Sequence, residues 1–132
     1  MPLRYIEEKL KERRLMYYSS FKMKMAGTRE LQTPIIDNIE NGNNYRFSSL
    51  LKYIDALEMN LYINNEHINN AKDFGKCIKE YRISNKLTQF QVMMLCKFNI
   101  SKITRIEKGQ CSRCTLSTFL SVFPDFKIEI RE

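Results

Sequence analysis

A seven-residue signature occurs twice in this chain and constrains it more than any other feature. Ile36-Asp37-Asn38-Ile39-Glu40-Asn41-Gly42 is answered 67 positions later by Ile103-Thr104-Arg105-Ile106-Glu107-Lys108-Gly109, with four of the seven positions identical. Downstream an offset of 69 takes over, laying Ser48, Leu50, Leu51, Ile54, Leu57, Met59 and Leu61 on Ser117, Phe119, Leu120, Phe123, Phe126, Ile128 and Ile130. The second copy carries a loop two residues longer. A single long period of this kind predicts a duplicated unit rather than a solenoid. The 132 residues suit one ordinary domain, or two very small ones sharing a surface. The asparagine-rich stretch 64–70 separates the copies, so the expected division is a first unit over 1–64, a linker over 65–73 and a second unit over 74–132.

Local signals predict helices in both units. In the second, Phe74, Ile78 and Tyr81 share one helical face. Thr88 with Gln91 three residues on forms a capping box for the next helix, whose Val92, Met93 and Cys96 point inward. Asn99 is an N-cap for a third helix carrying Ile103 and Ile106, and Gly109 ends it in a left-handed turn. Leu116, Phe119, Leu120 and Phe123 mark a fourth, stopped by Pro124. The first unit repeats the plan: Ile6 and Leu10 in its first helix, Ser20 capping a second with Met25 and Ala26, and Thr33-Pro34 as N-cap and first helical residue of a third. Each unit then switches to alternation, over 59–63 and 126–130, the mark of a half-buried strand. One short strand alone is unstable, so the two are expected to pair.

Charge is unevenly divided. Residues 1–70 hold ten Lys/Arg and nine Asp/Glu, whereas 71–132 hold twelve and six, so most of the net +7 lies in the second unit and suggests a polyanionic partner there. No apolar run approaches a membrane span and the charged N-terminus is unlike a signal segment, which predicts a cytoplasmic or nucleoid-associated protein. Cys111 and Cys114 offer two ligands where structural zinc takes four, and His67 lies far away, so no metal or cofactor is expected. No paired-carboxylate, phosphate-loop or nucleophile pattern points to an enzyme.

Gly75, Ile78, Arg82, Leu87-Thr88-Gln89, Val92, Ile103, Ile106-Glu107 and Gly109 carry a resemblance. Over residues 74–130 the chain resembles the lambda-repressor/Cro-like (XRE) helix-turn-helix family, down to the eighteen-residue step from Gln89 to Glu107. The first unit matches less well: it keeps Ala26, Ile36, Ile39-Glu40 and Gly42, but Lys22 stands where the glutamine is expected. The ending from Leu116 to Ile130 resembles that of HipB-type antitoxins, whose terminal strand pairs across a dimer.

The resemblance implies a mostly α fold: two tandem helix-turn-helix domains of four to five helices, each ending in a short strand, the strands forming a small antiparallel sheet. A monomeric pseudo-dimer or a homodimer would result. It implies sequence-specific binding of double-stranded DNA, a third helix entering the major groove. By position, Gln89 would meet the backbone or an outer base, Ser101 and Arg105 would face bases, and Lys102 and Lys108 would serve phosphates, with Thr104 also outward on the DNA-binding face. Arg82 and Glu107 would form a structural ion pair. The first unit's matching face offers Thr33, Asp37 and Asn38, with Asn41, Asn43, Asn44 and Arg46 as phosphate contacts, but has no Lys or Arg on the helix itself. The alternative is an antitoxin-like module whose first unit holds a protein partner, a toxin or a second copy, while the second binds the operator.

Overall fold

The computed structural model describes residues 2–17 and 33–132. Among these, seven helices and three short strands occur: α1 (Pro2–Tyr17), α2 (Thr33–Asn41), α3 (Phe47–Ala56), β1 (Asn60–Ile63), β2 (Glu66–Ile68), α4 (Ala71–Ser84), α5 (Gln89–Cys96), α6 (Ile100–Ile106), α7 (Arg113–Val122) and β3 (Ile128–Arg131). The fold is mostly helical with a small antiparallel sheet. The helix expected to start at Ser20 and carry Met25 and Ala26 lies outside the described residues, as does Lys22.

The sheet runs β2-β1-β3, with both neighbours antiparallel to β1. Strands β1 and β3 pair within the chain: Leu61 lies opposite Ile130 and Ile63 opposite Ile128, and all four face the core. Tyr62 faces the other way, with His67 beside it and the Arg131 guanidinium 4.2 Å over its ring. Strand β2 was not anticipated. The expected linker over 65–73 is ordered instead: Asn64 and Asn65 adopt left-handed φ values of +50° and +69°, and the chain turns straight back into β2 and then α4. Asparagine tolerates that region because its side chain hydrogen-bonds locally. The Asn64 carboxamide accepts from the backbone N–H of Lys127, tying the turn to the approach of β3.

Helix boundaries follow side-chain chemistry. Thr88 and Gln91 exchange both bonds of the capping box, at 3.1 and 2.8 Å. Asn99 accepts from Lys102 N–H at 2.8 Å, and Gly109 takes φ +85° just beyond α6. Helix α7 begins a turn earlier than its apolar stripe suggests, because Ser112 caps it by accepting from Thr115 N–H. Helix α2 already includes Thr33, which places Pro34 within the first turn, where a missing N–H costs little.

One continuous hydrophobic core joins residues from α1, α2, α3, β1, α4, α5, α6, α7 and β3. Phe47 of α3 stacks on Phe74 of α4 at 4.0 Å between centroids, and Tyr81, Phe119, Phe123 and Phe126 form a largely edge-to-face group. The segments leading into α3 and α7 meet in an antiparallel bridge at Arg46 and Ser112, with Phe47 N–H donating to Cys111 C=O and Arg113 N–H to Tyr45 C=O. The two sequence units therefore share a core instead of each closing its own.

Candidate nucleic-acid interface

Helices α5 and α6 are joined by three residues, Lys97, Phe98 and Asn99. Lys97 takes φ +58°, a left-handed step that ends α5 and turns the chain towards α6. Val92 and Cys96 of α5, with Ile103 and Ile106 of α6, bury the inner faces. The outer side of α6 is thereby left to Ser101, Lys102, Thr104 and Arg105, followed by Lys108. Ser101, Arg105 and Lys108 are exposed, while Lys102 is half-buried with its ammonium 5.3 Å from the Phe98 ring centroid. Thr104 donates its hydroxyl back to Ile100 C=O at 3.0 Å, which commits its proton within α6 and leaves the oxygen an acceptor. Ile100 is 52% exposed at the start of the same face.

Behind α6 sits a fixed polar bracket. Arg82 donates to Glu107 through Nε (2.6 Å) and Nη2 (3.2 Å) and to Leu87 C=O through Nη1 (2.9 Å), locking α4 to the end of α6 and to the loop before α5. The bidentate geometry is the strong form of an arginine–carboxylate contact. Gln89 joins this bracket: its amide donates to Glu107 Oε1 at 3.2 Å. The glutamine expected at the DNA backbone is thus held by an internal carboxylate, half-buried at the N-terminus of α5.

A second bracket escaped sequence reading. Arg14 donates to Glu40 through Nε (2.5 Å) and Nη2 (2.8 Å), and the Tyr53 hydroxyl donates to the same carboxylate. Arg14 is 7% exposed and Glu40 3%. The signal was present: if Glu40 corresponds to Glu107, an arginine near position 14 should correspond to Arg82. Burial and the Glu40 carboxylate push the Tyr53 phenol well above its ordinary pKa, against the opposing pull of Arg14.

A third buried carboxylate was also missed. Glu7, fully buried on α1, accepts from Arg113 at 2.6 and 3.2 Å, from Arg4 at 3.2 Å and from the Tyr45 hydroxyl at 2.6 Å. This cluster pins α1 to the start of α7. The Tyr45 phenol is likewise raised by burial and by its bond to Glu7.

The first unit's proposed contacts are distributed differently. Thr33 and Asn38 are half-buried on α2, Asn41 is exposed at its end, and Asn43 is exposed with its N–H on Asn38 C=O. Arg46, also exposed, lies apart from these. It lines a cleft of about 760 Å³ together with Lys102, Arg105 and Lys108 of the second unit.

Cys111 and Cys114 are both free. Burial pushes the Cys111 thiol up to about 12, while Cys114 is exposed. Among the described residues no group of three or more His, Cys, Asp or Glu side chains converges as a metal site, and no helix is long and apolar enough to cross a membrane. Comparison of the chain with protein-family models, curated proteins and solved structures finds no match.

Proposed function

We propose that the chain is a sequence-specific double-stranded-DNA-binding regulator of the lambda-repressor-like helix-turn-helix kind, with α6 as its recognition helix. The observation that carries this reading is the outer side of α6. It holds Ser101, Lys102, Arg105 and then Lys108, on a helix whose inner side is buried and whose end is clamped by the Arg82–Glu107–Gln89 bracket. A seven-residue helix fits the major groove, and a rigid mount turns a cationic face into a reader by fixing where its donors point. Arg105 would take the guanine-reading role, Ser101 and Thr104 would contact neighbouring bases, and Lys102 and Lys108 would neutralise phosphates.

The chain is, in this reading, a pseudo-dimer of two tandem units over 1–64 and 74–132. The register of the sheet supports it. Leu61 and Ile130 correspond under the 69-residue offset, and they lie opposite each other; Asn60 and Tyr62 then face the counterparts of Tyr62 and Asn60, namely Arg131 and Glu129. Such a register is what a two-fold axis through the Leu61–Ile130 pair requires. Two arginine–glutamate brackets and two left-handed glycines, Gly42 and Gly109, recur at matching places. The first unit's helix α2 presents Thr33, Asp37 and Asn38 without a cation, so the operator should be asymmetric.

Titration of duplex DNA across 50–200 mM salt tests the proposal. Wild-type binding should weaken steeply with salt, and Lys102→Ala/Arg105→Ala should lose specific binding while keeping its far-ultraviolet circular dichroism. Salt-independent binding, or equal binding by the double variant, would sink it.

A further inference from the structure

The sequence assigns Arg46 to the first unit, but the structure seats it elsewhere. The bridge between Arg46 and Ser112 brings the N-terminal ends of α3 and α7 side by side, each a ten-residue helix that follows directly on one of these residues. At that junction opens the cleft of about 760 Å³, lined by Arg46 of the first unit together with Lys102, Arg105 and Lys108 of the second. Ser48, Ser112 and Thr115 supply hydroxyls, and among the described residues no carboxylate lines it. Four cations at one concavity repel one another, and the positive ends of two helix dipoles add to the same field. The Arg46 side chain caps nothing in α3.

We infer that Arg46 belongs to the second unit's interface: the cleft is a composite phosphate site in which the first unit supplies one clamp on the backbone of DNA read by α6. This rests on the DNA-binding proposal and extends it by giving the first unit a direct part in binding that does not involve α2. The ligand chemistry is a phosphate group carried on a duplex backbone. The clamp would hold a backbone phosphate without selecting a base.

Binding of a fixed specific duplex and of an unrelated duplex, measured against salt for wild type, Arg46→Ala and Arg46→Lys, tests the inference. Each backbone contact contributes about 0.9 to the slope of log affinity against log salt. Arg46→Ala should flatten the slope by about that amount and weaken both duplexes by a similar factor; Arg46→Lys should retain most of the slope. Parallel titration with inorganic pyrophosphate should give only weak, millimolar occupancy, and micromolar binding of it would make the cleft a small-anion site instead. An unchanged slope for Arg46→Ala alongside normal wild-type binding overturns this inference and leaves the α6 reading standing. Absence of any wild-type duplex binding overturns both.

Discussion

Replacing Glu40 by alanine is expected to be far costlier than removing an exposed carboxylate of this chain. The Glu40 carboxylate is 3% exposed and accepts both Arg14 bonds and the Tyr53 hydroxyl. Removing it leaves a guanidinium that is 7% exposed with no carboxylate beside it and a buried phenol without its acceptor. Breaking a buried ion pair from one side costs roughly 3–5 kcal/mol, because the surviving charge stays desolvated. Against a stability of about 5–15 kcal/mol for a domain, that is a large fraction. The exposed pair Arg13–Glu132 is a built-in control: Glu132 is 76% exposed, and such pairs are worth about 0–1 kcal/mol. Urea unfolding followed by circular dichroism suits a chain without tryptophan. Glu40→Ala should lose about 3–5 kcal/mol and Glu132→Ala under about 1. Adding Arg14→Met to Glu40→Ala should restore more than about 1 kcal/mol, since the stranded charge is then gone. Equal losses for Glu40→Ala and Glu132→Ala, or no recovery in the double variant, would refute the burial argument.

Two further outcomes follow from the backbone and the tyrosines. A Cβ at Gly109 would sit 1.9 Å from Ala71 O at φ +85°, whereas one at Gly42 meets first the flexible end of Arg4 at φ +70°. Gly109→Ala should therefore cost on the order of 3 kcal/mol or more and Gly42→Ala about 1–2, read from the same urea curves; a reversed order would contradict the close approach of Gly109 to α4. Tyr45 and Tyr53 have phenols raised above 10.0 in the folded chain, so the unfolded chain ionises first. Their stabilising effect is present below pH 10 and is lost as pH rises above it, by up to about 1.4 kcal/mol per pH unit for each. Stability measured from pH 8 to 11.5 should fall above pH 10, and Tyr45→Phe/Tyr53→Phe should flatten the fall; a level wild-type profile to pH 11.5 would be inconsistent with sealed phenols.

Features written in local sequence were legible, and those made by distant partners were not. The capping box at Thr88–Gln91, the Asn99 cap, the Gly109 turn and the alternation of β1 and β3 are all short-range signals, and each appears in place. The Arg82–Glu107 pair was accessible through family resemblance. Strand β2 was hidden because three residues with one inward side chain, Ile68, show no period, and its asparagine turn reads as a linker. Glu7 stands among many charges on α1, five of them Lys or Arg, with no local mark of burial; its partner Arg113 is 106 residues away, and the meeting of α1 with α7 explains its burial. The bond from the Gln89 amide to Glu107 was equally out of reach of local reading, since it spans the helix-turn-helix. Arg46 was assigned by proximity in sequence to Asn41 and Asn43, whereas the Arg46–Ser112 bridge carries it to the other unit.

Selection of bound sequences from a random duplex pool, run in parallel with wild type and Arg105→Ala, tests base reading by α6 most directly. If α6 reads the major groove, wild type should enrich one asymmetric sequence, and Arg105→Ala should lose preference at one or two adjacent base pairs, each by a factor that corresponds to about 1–3 kcal/mol. Enrichment of no sequence, or an identical sequence preference for both proteins, would contradict it.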